Sequence, residues 1–354
     1  MDKQIKILVS SCGGGIGPDV IFSLQQSGLN LYVIGADASV RGRDFGSQIC
    51  DMVLEAPLAN DSNFKERVDC ICREHKIDVI FFNHSKEIRA IAKRKLKFDA
   101  KYLLPEYADM LICTSKWEVA KRLMDKGLED AIPKTSLISH EETIVKIFKE
   151  FGSPLWLRIP EGAGARGALL VNKPKHAINW IEYWKEMKNY ANYWILQEYL
   201  PGRNFSWASI WFKGQFITSS TMERLEYFMA SAAVTGISGA TGICRIVHDD
   251  RLQNLGMKVV LGLSDYPHGI YTMDAREDAQ GNVKLTEIEN RMQGRIRLNT
   301  SAGINLPEII VRILMDIPLD GTIKRIDGST EGMTLYRQLD FKPIVKIENT
   351  RAGI

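Results

Sequence analysis

The chain has 354 residues, room for two or three domains. It is 45% apolar and 25% charged, as ordinary folded proteins are, and its basic side chains exceed its acidic ones by only three, with a pI near 8.4. Disorder and a coiled coil are excluded; the small basic surplus predicts neither nucleic acid nor an anionic membrane as partner, and no apolar run approaches the ~20 residues that span a bilayer.

The first six residues pass straight into a strand-like run without a secretory leader, which predicts a cytoplasmic protein. Cys12, Cys50, Cys70, Cys72, Cys113 and Cys244 lack metal-ligand spacing and read as reduced thiols. The six histidines are scattered and suggest no zinc site.

Residues 5–10 read as a buried strand leading into Cys12-Gly13-Gly14-Gly15-Ile16-Gly17-Pro18, followed by a helix over 19–26. A second strand covers 31–35 and ends at Asp37; a helix at 64–75, a strand at 78–82 and a helix at 87–95 follow. This alternation predicts a parallel, doubly wound sheet across the first hundred residues. From Thr114 the pattern changes. Helices over 116–126 and 141–151 each stop at a glycine, and strands at 155–159, 168–171, 194–200, 205–212 and 215–220 are interrupted by a helix over 175–188. These predict an α+β unit on antiparallel strands. The last third reads as a helix near 250–263, strands at 269–275 and 283–288, and a helix at 306–315, without internal repeats.

Gly13-Gly14-Gly15-Ile16-Gly17, with Asp37 twenty residues on, invites a dinucleotide-binding reading. The third glycine of Gly-x-Gly-x-x-Gly falls on Pro18, however, and any Rossmann-like sheet needs a glycine turn here for close strand–helix packing.

The strand ending in Met273-Asp274 and the run Lys284-Leu285-Thr286-Glu287-Ile288-Glu289-Asn290-Arg291, joined by Ala279-Gln280-Gly281-Asn282, predict a hairpin. Glu287 and Glu289 are two apart, so both point to one face, and Asp274 on the neighbouring strand can join them. Three acids on one face repel unless a cation neutralises them, and hard oxygen ligands select magnesium or manganese. Arg291 lies one pleat further along, placed to hold phosphate or screen the acids. The competing reading is an exposed hairpin with solvated charges.

Asp274, Glu287 thirteen residues on, then Glu289 and Arg291 resemble the metal-binding end of the ATP-grasp superfamily, usually Glu-x-Asn-x-Arg after an upstream acid; here Glu289 stands where Asn is usual. Ser115-Lys116 resembles the family's Asp-Lys helix start, whose lysine contacts ATP phosphates. Leu155-Trp156-Leu157-Arg158 resembles the strand with the second phosphate contact, where Arg is the carbamoyl-phosphate-synthetase form. Glu161-Gly162-Ala163-Gly164-Ala165-Arg166-Gly167 is similar to the glycine loop that closes over the phosphates. Ile195-Leu196-Gln197-Glu198-Tyr199-Leu200-Pro201-Gly202 resembles the adenine hinge, and Arg203-Asn204 stand where an acid usually binds the ribose.

The resemblance spans nearly the whole chain and implies an α/β protein with an N-terminal Rossmann-like pre-ATP-grasp domain (1–112) and a two-subdomain α+β ATP-grasp fold. The small subdomain (113–192, its strands continuing to about 200) carries the glycine loop; the C-terminal one (193–354) carries the hinge and metal site. The nucleotide contacts it implies are Lys116, Arg158, Gly162, Gly164, Arg166, Gly167, Glu198, Leu200 and Asn204. Asp274, Glu287 and Glu289 are the implied ligands of Mg2+, with Mn2+ as the alternative, and Arg158 and Arg291 the implied catalytic groups.

The chemistry implied is activation of a carboxylate by the γ-phosphate of ATP and displacement of phosphate by an amine. Arg295 and Arg297 are candidates to grip a carboxylate, although a surface arginine pair is nearly as good a reading. Arg224 and Arg245 border the small-residue segment 230–242, a candidate lid, and Glu87 lies where the N-terminal domain would face the site. The implied partners are small carboxylate and amine substrates and a second copy of the chain. The alternatives are carbamoyl-phosphate-like synthesis or small-acid phosphorylation on the same fold, a non-catalytic nucleotide-binding regulator and, last, an NAD oxidoreductase.

Overall fold

The computed structural model describes residues 3–162, 164–188, 193–233, 235–319 and 330–338. Its N-terminal part alternates β1 (Ile5–Ser10), α1 (Gly17–Gln25), β2 (Leu31–Asp37), α2 (Val40–Gly46), β3 (Met52–Glu55), α3 (Phe64–His75), β4 (Val79–Phe81) and α4 (Ser85–Arg94). The strands pair in parallel, in the order β3-β2-β1-β4. Successive residues of β1 point to opposite faces, so Ile7 and Val9 join the core under α1 while Leu8 joins the core under α3 and α4. Asp37 does not face a ligand: its carboxylate accepts from the Gly13 amide at 3.3 Å and from the Ser39 amide and hydroxyl at 3.0 and 2.9 Å.

α5 (Tyr107–Cys113) and α6 (Lys116–Asp125) lead into the small antiparallel sheet. β5 (Thr135–Ile138), α7 (Glu141–Phe151), β6 (Leu155–Arg158), β7 (Leu169–Val171), α8 (Pro174–Lys188) and β8 (Trp194–Glu198) build it in the order β5-β8-β6-β7. Its core holds Ile144, Ile147, Leu157 and Trp194, with Trp180 and Trp184 packed against it.

The remaining elements are β9 (Asn204–Phe212), β10 (Gln215–Tyr227), β11 (Thr241–Ile246), α9 (Asp250–Leu263), β12 (Gly269–Glu277), β13 (Val283–Glu289), α10 (Ile296–Ser301), α11 (Leu306–Leu314) and β14 (Thr334–Tyr336). Six strands form one sheet, β13-β12-β9-β10-β11-β14. Ile309 and Ile310 of α11 return to the core of the N-terminal sheet, tying the two ends together. β10 runs seven residues beyond its expected end at Ser220, because Thr218 to Arg224 are buried on both faces and show no alternation. The candidate lid is correspondingly shorter, since residues 241 and 242 already belong to β11.

α4 begins two residues before its expected start. The His84 ring caps it by accepting from the Lys86 amide at 3.1 Å, and Glu87 reaches back to the His84 amide at 3.1 Å. Glu87 also accepts from the Ser10 hydroxyl at 2.6 Å, and burial pushes its pKa up to about 7. This corrects the expectation that Glu87 meets a substrate: it joins α4 to β1.

Two outcomes test these packing statements. α9 crosses Trp207, which is fully buried, and a Cβ on Gly256 would lie 2.5 Å from the indole. Gly256→Ala should therefore destabilise the protein by about 1–3 kcal/mol in chemical denaturation although alanine is the better helix former. For Glu87, the folded state holds its proton from about 4.5 up to about 7 while the unfolded chain has released it, so stability falls as pH rises through that window. Glu87→Gln lacks that loss, and its thermal midpoint should gain on wild type between pH 5 and pH 8.

Candidate active site

A cavity of about 400 Å³ lies where the sheets meet, walled by Trp156 and Arg158 of β6, the segment 197–200, the β12–β13 hairpin, and Gly15 and Ile16 of the β1–α1 loop. In the hairpin register Asp274 stands opposite Glu287 and Thr272 opposite Glu289, so the acids share one face while Met273 and Ile288 turn into the core. The expected convergence of Asp274, Glu287 and Glu289 on one sheet face is present.

Each carboxylate is met by basic side chains from other elements. Ser115 caps α6, accepting from the Glu118 amide at 3.3 Å, and so sets Lys116 at the first helical position. The Lys116 ammonium lies 2.7 Å from Glu287 Oε1 and donates to the Gly162 carbonyl at 2.9 Å. Arg158 donates to the Thr286 carbonyl at 3.2 Å and lies 3.9 Å from Glu287 Oε2. Burial opposes ionisation of Glu287, but Lys116 and Arg158 hold its pKa below the usual value. Burial lowers the Lys116 pKa despite Glu287.

Asp274 is clamped: Arg224 donates to one oxygen at 2.8 Å and Arg295 to the other at 3.1 Å. Burial would raise its pKa, yet the two guanidiniums hold it at about 2. Glu289 accepts from the Ser85 hydroxyl at 2.8 Å and pairs with Arg291, which itself donates to Ser85 at 2.8 Å. Here burial outweighs Arg291 and raises the Glu289 pKa.

The donor chemistry suits a hard divalent cation at Glu287 and Glu289. Asp274 lines the same cavity, and both of its oxygens already answer guanidiniums that are 5% and 8% exposed. Among the described residues no three acidic, His or Cys side chains gather as a ready-made metal cluster.

Gly162, Gly164 and Gly167 all have positive φ, from 72° to 118°, which glycine alone adopts freely. Gly162, Gly164 and Arg166 share a recess with Lys116, Arg158 and Glu287. Gly167 instead anchors the end of the loop, its carbonyl accepting from the Trp180 indole at 2.9 Å. A Cβ on Gly239 would lie 2.6 Å from Gly164 Cα, so the 235–240 stretch rests on the glycine loop. Glu198, Leu200 and Asn204 line the cavity. Glu198 accepts from the Lys134 amide at 3.1 Å and from Lys284 at 2.8 Å, and Asn204 accepts from Arg224 at 3.1 Å.

Two further substrate expectations are corrected. Arg245 pairs with Glu223 at 2.7 Å and lines a separate cleft, because its neighbours on β10 and β11 alternate faces. Arg297 holds Asp19 of α1 at 2.8 Å and covers the Phe22 ring, where it joins domains. Arg224 and Arg295 do reach the cavity. Sequence reading missed Ser85, Tyr227, Gln293 and Arg337. Tyr227 lies past the point where β10 loses its alternation, and Arg337 follows a strand too short to register as one.

If Asp274 serves as the counter-ion of two buried arginines, Asp274→Asn should cost about 2–4 kcal/mol of stability in metal-free buffer, measured by urea unfolding. A ligand that acts only through a metal would leave that stability unchanged.

No protein-family model and no curated protein matches the chain. Solved structures do. Biotin carboxylase from Campylobacter jejuni superposes with a TM-score of 0.69 at 15% identity, over 93% of this chain and 74% of that one. N5-carboxyaminoimidazole ribonucleotide synthetase from Thermotoga maritima gives 0.62 at 17% identity, over 91% and 78%. Phosphoribosylglycinamide synthetase from Anaerococcus prevotii gives 0.64 at 11% identity, over 94% and 80%. The architecture they share with this chain, a Rossmann-like sheet followed by two antiparallel units around a central cleft, is the ATP-grasp fold.

Proposed function

We propose that the protein is an ATP-dependent ligase that activates a small carboxylic acid as an acyl phosphate and joins it to an amine, with ADP and phosphate released. The observation that carries this reading is Glu287, set opposite Asp274 and flanked by Lys116 and Arg158 beneath a glycine loop. Structures of the neighbours support the nucleotide and the metal: a biotin carboxylase domain from Hydrogenobacter thermophilus was solved with MgADP and bicarbonate, and a synthetase from Staphylococcus aureus with ADP.

Glu287 and Glu289 would hold Mg2+, which supplies charge neutralisation to the phosphates. Lys116 and Arg158 meet the negative charge on the transferred phosphoryl group, and Arg291 faces the carbonyl side of the reaction. The substrate carboxylate oxygen bonds to the γ-phosphorus as the bond to ADP breaks; the amine then attacks the acyl carbon and phosphate leaves. An acyl phosphate hydrolyses readily, so the glycine loop and the stretch resting on it serve to exclude water. Gln197 to Leu200 form the wall for adenine, with Asn204 toward the ribose. A homodimer fits the reading, the Hydrogenobacter domain having been solved as a dimer. No helix among the described residues is long and apolar enough to cross a membrane, in keeping with work in the cytoplasm.

ADP release with Mg-ATP and pooled carboxylic acids and amines is the test. Wild type should show acid-dependent release, and Glu287→Gln should reduce it by about 100-fold or more. Failure of wild type to bind ATP in a calorimetric titration would overturn the reading.

A further inference from the structure

The same cavity is also lined by Arg224, Arg295, Gln293 and Arg337, together with Gly15 and Ile16 of the β1–α1 loop, against which Gly294 of the turn after β13 is packed. Arg224 and Arg295 both donate to the Thr241 hydroxyl of β11, at 2.8 and 2.7 Å, and the Arg337 amide donates to the Gly242 carbonyl next to it at 2.9 Å, so the three arginines meet at one end of β11. Their counter-charges are few. Asp274 serves both Arg224 and Arg295. Arg337 makes no ion pair among the described residues, and Asp19, whose carboxyl feels its charge, is already held by Arg297 at 2.8 Å. Among the described residues two positive charges are thus in excess where the walls are largely buried, and low dielectric strengthens their pull on an anion. The nucleotide does not account for them, since its phosphates are met at Lys116 and Arg158.

The ligase reading leaves the acid unnamed, and this inference rests on that reading. We infer that the acid substrate carries two anionic groups: one carboxylate is activated beside Arg291, and a second group, carboxylate or phosphate, is held by Arg295 and Arg337. Guanidinium suits either group, because its planar fork matches paired oxygens. Gln293 reinforces the grip. Its carbonyl accepts from Arg295 at 2.6 Å, which fixes that side chain across the cavity wall. A substrate with one charge leaves an arginine unmatched, so the excess discriminates between otherwise similar acids.

The test is calorimetric titration of the whole chain, preloaded with Mg2+ and a non-hydrolysable ATP analogue, with matched pairs: propionate against succinate, and glycerate against phosphoglycerate. The acid with the second anionic group should bind about tenfold tighter than its monoanionic partner in at least one pair, and the pair that shows it identifies that group. Arg337→Gln should remove that preference while the ATP analogue binds as it does to wild type. Equal affinity within both pairs, no binding by any of the four acids, or a preference that survives Arg337→Gln overturns the inference. Binding of the analogue before any acid is added is read separately: its absence sinks the ligase reading itself.

Discussion

Placing Asp274, Glu287 and Glu289 on one face of a two-stranded hairpin is electrostatically unfavourable, and the surrounding architecture supplies the compensation. Lys116 comes from the start of α6, Arg158 from β6, Arg224 from β10, and Arg291 and Arg295 from the chain just after β13. Each belongs to an element whose placement serves another purpose as well, so the acids are tolerable only when three sheets are assembled around them. Isolated surface ion pairs contribute little. These are different, because Arg224 and Arg295 are nearly buried and would be costly without Asp274.

The N-terminal sheet is part of this arrangement. Ser85, at the start of α4, bridges Glu289 and Arg291. A Cβ on Gly294 would lie 2.4 Å from the Gly15 carbonyl oxygen, so the glycine loop after β1 abuts the turn after β13. Arg297 on Asp19 and α11 on the N-terminal core hold that contact in place. A glycine loop that resembles a dinucleotide fingerprint thus serves domain packing, with its acid Asp37 bonded to the loop's Gly13 amide and to the Ser39 amide after β2.

Opposite this wall, the glycine loop and the stretch after β10 meet backbone to backbone through Gly164 and Gly239. Positive φ at the loop glycines allows that approach and leaves their amides able to turn toward an anion. In the proposed ligase, water exclusion and phosphate contact would then depend on one pair of segments, and each requires small residues for the same steric reason.

Local sequence determined much of this protein. The helices over 64–75, 141–151 and 250–263 begin and end where their apolar spacing and stop signals put them, and the two-residue spacing of Glu287 and Glu289 dictated a shared face. Order along the chain was enough to suggest the fold. Short elements such as α2, β3, β5 and α10 were not legible, because four to seven residues carry too little periodicity, and β10 was cut short because both its faces are buried. Tertiary structure alone decided which arginines reach the cavity. Arg224 and Arg295 do, whereas Arg245 and Arg297 turn to Glu223 and Asp19, since a one-residue step on a strand, or a two-residue step into α10, reverses the face. It also decided that Asp274 answers two guanidiniums and that Glu87 caps a helix: charge pairing across a fold depends on which elements meet, and no local pattern records that.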